Sequence, residues 1–252
     1  MVKLMKKTIL ALILIFGIIL IGSVFSYEYI NTDNSTNAKT SYNKVVIFTP
    51  HPDDETIGMG GLIEKLKSEG KEVHVVVMCS GNGVVNNLYS YYNVPVLFNA
   101  TPAESKKIIR KDAFVRVMNI DGVSYEMIGI DDGGTTDENV FEVMNRMYYE
   151  GYGEFYTTTR DYNIDHQHCA DAMKIMMEKY PQLKYRQFPV YWHAADNGSV
   201  RFVPSPIINN YTDYNVSEYL PKKLEALQVY YNIQLFPANR YETNIERVYY
   251  LN

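Results

Sequence analysis

Cysteine is nearly missing from this chain: Cys79 and Cys169 are the two thiols in 252 residues. Two are too few for a disulfide framework, and neither belongs to a Cys-x-x-Cys zinc site. They either close one bond or stand as buried free thiols. Clustered positive charge is missing as well. Beyond the first seven residues there is no basic run, and the net charge is −5. Phosphate binding needs grouped Lys and Arg, so no nucleic-acid partner is expected. No internal repeat is present.

What remains is ordinary globular composition, 46% hydrophobic and 21% charged. That is enough for one large domain with a buried core. The N-terminus stands apart from it. Lys3, Lys6 and Lys7 precede an unbroken apolar and small-residue stretch over 8–26. Roughly 20 helical residues span a bilayer, so the stretch is long enough to cross one. The flanking charges place the Lys-bearing end in the cytoplasm and everything after Tyr27 outside. A cleaved signal peptide is the competing reading, with small residues at Gly22, Ser23 and Ser26 near a cut. A signal-peptide apolar core runs about 7–15 residues, which favours an uncleaved anchor. The folded part is then membrane-anchored and extracytoplasmic, or else secreted. Sequons beginning at Asn34, Asn99, Asn197, Asn210 and Asn215 agree with export. The expected division is 1–27 anchor or signal peptide, 28–42 Asn/Thr/Ser-rich linker, and 43–252 folded domain.

Within that domain, short β-branched runs alternate with helical spacing. Strands are predicted at 44–49, 72–78, 125–130, 155–158 and 186–192. Helices are predicted at 57–69, 103–119, 137–150, 166–179 and 216–231. A long Asn-, Tyr- and Gly-rich loop fills 81–101, of a length usual for binding segments, with an aromatic run from Tyr89 to Tyr92. Such alternation indicates an α/β fold with a mostly parallel sheet flanked by helices. Ligands in these sheets bind beyond the carboxyl ends of the strands, near a switch point.

Two clusters sit at such ends. His51-Pro52-Asp53-Asp54-Glu55 follows the first strand, and Asn163-Ile164-Asp165-His166-Gln167-His168 follows the fourth. Catalytic zinc takes three N or O protein ligands and keeps a position for water. His51 and Asp54, three apart on a turn, can converge on one ion, and a third ligand must come from another strand end. Each cluster alone has a plain explanation. Carboxylates after a strand complement a helix N-terminus, and a His pair is usually surface. Their coincidence at two strand ends of one sheet points to a metal site.

The pentapeptide His51–Glu55, with Asp165-His166 opening a later helix, resembles the LmbE/PIG-L family of zinc N-deacetylases. Ser80-Gly81, Arg110 with Asp112, Ile128 to Gly133, and Ser217 to Ala226 followed by Tyr230 and Gln234 are similar to further segments of that family. The likeness covers roughly Lys44 to Leu235. It implies a Rossmann-like fold, a zinc ion held by His51, Asp54 and His166, and Asp53 as general base. It also implies an acetylated amino-sugar substrate, as part of a glycan or glycolipid. Arg110, Asp131 and Asp132 are candidates for gripping sugar hydroxyls.

One departure matters. The family's second motif commonly reads His-Pro-Asp-His, whereas here Asn163 and Ile164 replace the first two residues. Asn can donate to an oxyanion but cannot carry a proton at neutral pH. The proton for the leaving amine then falls to Asp53, His168 or His193. His74, inside an apolar strand, reads as a satisfied core residue. Two rival functions stay open, a zinc amidase acting on a non-sugar amide and a catalytically silent glycan-binding relative.

Overall fold

The computed structural model describes residues 40–84, 88, 102–194, 200–202, 208–233, 235–236 and 239–252. The elements run β1 (Ser41–Thr49), α1 (Asp54–Ser68), β2 (Glu72–Cys79), α2 (Ala103–Asp121), β3 (Ser124–Ile130), α3 (Asp137–Tyr149), β4 (Tyr152–Thr158) and α4 (Ile164–Lys179). After these come β5 (Lys184–Phe188), β6 (Trp192–Ala194), β7 (Val200–Phe202), β8 (Tyr211–Asn215), α5 (Leu220–Asn232) and β9 (Ile245–Tyr250).

The main sheet has the order β3-β2-β1-β4-β5-β9-β8. Its first five strands are parallel, and β9 and β8 join antiparallel at one edge. Val45 and Ile47 of β1 face one apolar cluster, shared with α1, α2 and α5. Val46 and Phe48 face the other, shared with α3 and α4. Burial on both faces explains why these strands are continuous apolar runs and not alternating ones. The chain leaves β1 toward β2 and β3, then returns to place β4 on the other side of β1. The switch point therefore lies between β1 and β4, whose following segments carry the two His clusters.

The structure differs from the sequence expectation at several places. The fifth strand ends at Phe188, because Pro189 has no N–H for the ladder. The predicted continuation to Trp192 is a separate strand, β6, paired with β7 in its own two-stranded sheet. The last helix starts at Leu220, with a Pro in its first turn, later than the predicted 216. Cys79 and Cys169 are buried free thiols, so the alternative of one bond is not realised.

Among the described residues no helix is long and apolar enough to cross a membrane. The expected anchor or signal peptide at 1–27 lies outside the described residues, as do Tyr89 to Tyr92.

Candidate metal centre

His51 leaves the end of β1, Asp54 opens α1, and His166 sits in the first turn of α4. Both rings turn toward the same carboxylate oxygen. Nδ1 of His51 and Nε2 of His166 each lie 3.3 Å from Oδ2 of Asp54. The ring centroids are 5.5 Å apart. Bonds of about 2.0–2.2 Å to a tetrahedral ion put neighbouring donor atoms ~3.3–3.5 Å from each other. The observed separations match that edge. His166 is fully buried, yet its Nε2 has no hydrogen-bond partner. A buried polar atom of this kind calls for an explanation, and a cation supplies one.

The other ring nitrogens point the opposite way, to carboxylates. Nε2 of His51 meets Oδ2 of Asp165 at 3.1 Å, and Nδ1 of His166 meets Oδ2 of Asp161 at 2.8 Å. Asp165 is itself held by the N–H of Gly133 at 2.7 Å and the hydroxyl of Thr135 at 2.6 Å. Carboxylate–imidazole–cation arrangements fix the tautomer and strengthen the ligand. The donors therefore fit a divalent ion of the kind that imidazole and carboxylate share, zinc among them. His51, Cys79 and Asp165 form a second possible group. Burial pushes the Cys79 thiol up, which keeps it a poor ligand because metals bind the thiolate.

The electrostatics agree. Burial alone would lower the pKa of His51, but Asp165 and Asp54 overcome it and raise the value to about 10. His166 is likewise raised, to about 9, by Asp54 and Asp161 against burial. Burial works against ionisation of Asp54, yet the two imidazoles hold it well below the usual carboxylate range. So much negative charge around two rings favours either protons or a cation, and a bound cation would displace the protons.

A cavity of about 260 Å³ opens beside these donors. His51, Asp53, Asp54 and Arg110 line it together with Tyr162 and Tyr191. Tyr191 stacks on His166 with centroids 5.7 Å apart, and Tyr162 stacks on Tyr191 at 4.7 Å. Asp53 is the cavity-lining carboxylate outside the donor set. Burial raises its pKa to about 7, partly offset by the Arg110 guanidinium, whose Nη2 lies 3.3 Å from Oδ1.

The remaining sequence candidates are spread more widely. Asp132 receives the N–H groups of Gly81 at 2.7 Å and Gly83 at 2.9 Å, so it shapes the loop after β2. Asp131 pairs with Lys107 at 2.9 Å. Neither lines the cavity. Asn163 is the N-cap of α4, its side-chain oxygen accepting from the N–H of Asp165 at 2.9 Å, and it does not line the cavity either. His168 pairs with Asp137 at 2.6 Å. His193 lies in β6 opposite Arg201, and its side chain is outside the described residues. His74 is half-buried in β2 and bonds Ser124 at 2.8 Å through Nδ1. Sequence reasoning passed over Asp161, Tyr162 and Tyr191. The need of a ligand histidine for a partner behind its ring was the signal for Asp161.

Residues 46–183, more than half of the chain, match the family described as PIG-L, GlcNAc-PI de-N-acetylase. The chain belongs to the PIG-L family. Solved structures share its fold at low identity. The zinc-inhibited form of teicoplanin deacetylase Orf2 superposes with a TM-score of 0.62 at 13% identity, covering 82% of this chain and 97% of that one. The N,N'-diacetylchitobiose deacetylase of Pyrococcus horikoshii gives 0.55 at 17%, covering 82% and 76%. The 4-carboxy-2-hydroxymuconate hydratase GalB of Pseudomonas putida KT2440 gives 0.58 at 16%, covering 83% and 96%. This PIG-L fold is thus shared with a protein of different chemistry, and function has to be argued from the site. A glucosamine-6-phosphate deaminase-like protein of Bacteroides thetaiotaomicron is 44% identical over 57 residues, 23% of this chain. The match spans 9% of that protein's length.

Proposed function

We propose that this PIG-L family member is a metal-dependent hydrolase that removes an N-acetyl group from an amino sugar of a glycan or glycoconjugate. One observation carries the reading. His51 and His166 aim at a single oxygen of Asp54 at matched distances of 3.3 Å, and the carboxylate of Asp53, outside that donor set, lines the same cavity. A pure binder has no use for that carboxylate.

Zinc held by His51, Asp54 and His166 would polarise the amide carbonyl and bring the pKa of a water toward 7. The protein groups do the rest. Asp53 accepts the proton of the water that attacks the acetamido carbon. As the C–N bond breaks, the departing amine needs a proton, and Asp53 is placed to return the one it took. Neither His168 nor Asn163 lines the cavity, so the transfers are assigned to Asp53, with His193, whose side chain lies outside the described residues, as the alternative donor. Arg110 keeps Asp53 oriented through its 3.3 Å contact. The exposed ring of Tyr162, backed by Tyr191, presents a face on which a sugar can stack. With 1–27 as anchor or signal peptide, the substrate is a polysaccharide or glycolipid outside the cytoplasm.

The test is acetate release from N-acetylglucosamine oligosaccharides, with simple N-acyl amides run in parallel. Full-length protein is expected to act on the sugars, to stop when a chelator strips the metal, and to recover with zinc. Asp53→Ala is expected to keep the metal and lose turnover. Undiminished turnover in that variant, or in stripped protein, overturns the reading. Preference for the simple amides would move the substrate class.

A further inference from the structure

We infer that Tyr230 and Glu55 form a buried strut holding Asp53 in its working conformation, which makes Tyr230 a positioning residue for the reaction. The inference rests on the proposed role of Asp53.

Asp53 has an unusual backbone, φ 147° and ψ −27°. Among the described residues other than glycine, Asn239 is the one other with positive φ. A side chain with a Cβ populates that region sparsely, and it persists where the surroundings impose it. The consequence is visible in the side chain. Asp53 is the N-cap of α1, and Asp in that position ordinarily folds over to accept a helix N–H. Here it makes no such bond, and the carboxylate lines the cavity instead. The strained torsion is what separates a base from an ordinary cap.

Three contacts impose it. The Asp53 N–H donates to Oε2 of Glu55 at 3.0 Å. Arg110 Nη2 donates to the Pro52 carbonyl at 2.6 Å and to Oδ1 of Asp53 at 3.3 Å. Glu55 can hold an N–H in place only if its own carboxylate is immobile. It is fully buried, and its Oε1 receives the hydroxyls of Thr56 at 2.9 Å and Tyr230 at 2.7 Å. Thr56 belongs to the same turn and moves with it. Tyr230 does not. It is fully buried on α5 and lies 175 positions along the chain, so it ties the turn to a separate element. Its hydroxyl is the one part of the ring with a polar task, and a Phe would fill the same apolar space.

The experiment uses metal-loaded full-length Tyr230→Phe, assayed for acetate release and solved as a crystal structure. The expected result is a kcat lowered about 10- to 100-fold, the range that a small misplacement produces. KM and metal content are expected to stay at wild-type values. The melting temperature is expected to fall by the few degrees that one lost buried hydrogen bond costs, with the protein folded at the assay temperature. In the crystal, Asp53 is expected to leave positive φ and cap α1. A kcat within twofold of wild type overturns the inference. So does a loss that falls on KM or on metal content, or a lowered kcat with Asp53 unmoved. If Tyr230→Phe does not accumulate as folded protein, Glu55→Gln is put through the same measurements with the same criteria. Asp53→Ala is measured alongside. Full turnover there removes the base assignment itself, whereas an inactive Asp53→Ala beside a fully active Tyr230→Phe removes the strut alone.

Discussion

Oδ2 of Asp161 lies 2.8 Å from Nδ1 of His166, on the nitrogen that does not face Asp54. Asp161 is fixed in turn, because its Oδ1 accepts the N–H of Asn163 at 2.8 Å at the start of α4. The ring of His166 is therefore oriented from behind by a carboxylate that never reaches the cavity.

Asp161→Asn is expected to weaken metal affinity about 10- to 100-fold, the usual effect of losing such a partner. Competition against a chelator of known affinity measures it. Unaltered affinity would show that His166 is oriented by packing alone.

Asp121 should make stability depend on pH. It is 1% exposed, and neither carboxylate oxygen has a hydrogen-bond partner. Burial, then Glu64 and Glu55, push its pKa up from 3.8 to about 8. Between those values the folded chain holds a proton that the unfolded chain has lost, so stability falls as pH rises from 3.8 to about 8 and levels off beyond. Asp121→Asn removes that fall. It is expected to stabilise the protein by about 1–3 kcal/mol at pH 8.5 or so, the scale of an unsatisfied buried polar group. Melting curves of the two proteins across pH should converge toward acid. Parallel curves would place the cause elsewhere.

Lys223 and Glu246 form a fully buried ion pair at 2.6 Å. Glu246 also accepts the N–H groups of Gly61 at 2.9 Å and Leu62 at 2.7 Å, while Lys223 donates to the Ile57 carbonyl at 3.2 Å. Lys223→Ala leaves a carboxylate buried without its counter-ion and should cost about 3–5 kcal/mol in a denaturant titration. A double replacement, Lys223→Met with Glu246→Gln, should cost less. Equal losses would mean that volume, not charge, matters here.

Gly81 is the close neighbour of Arg110. It sits at φ +76°, and a Cβ there would come within 2.8 Å of the Arg110 Nε. Gly81→Ala is expected to displace Arg110 and lower turnover about 10-fold or more, with metal content unchanged. Wild-type kinetics would show that Arg110 has room to yield.

The parallel half of the sheet was readable from the sequence, because strands buried on both faces become unbroken runs such as Val45 to Phe48. The candidate metal donors stood out for a related reason: they follow those strands directly, where ligands bind in sheets of this kind. The antiparallel rim was not. β8 exposes Tyr211, Thr212 and Asp213, and β9 mixes Glu246 and Arg247 with Val248 and Tyr249, so neither carries a clean period. Their strand character comes from pairing with β5 and with each other, which is distant in sequence. Arg110, singled out for sugar, lines the cavity and also donates to Pro52 and Asp53, contacts that its spacing did not announce. Asp161 escaped notice, and Tyr230 stood out only as part of a segment similar to the family, because their contacts depend on which atom each one meets, and spacing does not encode that.

The segment that matches the family ends at residue 183, and it already contains the three candidate donors His51, Asp54 and His166. Yet Glu246, far beyond it, grips the amides of Gly61 and Leu62 in the helix that Asp54 opens. Trimming this protein from its C-terminal end is therefore expected to slacken the turn that carries Asp53 and Asp54, so the span that holds the candidate site in shape is longer than the recognisable signature.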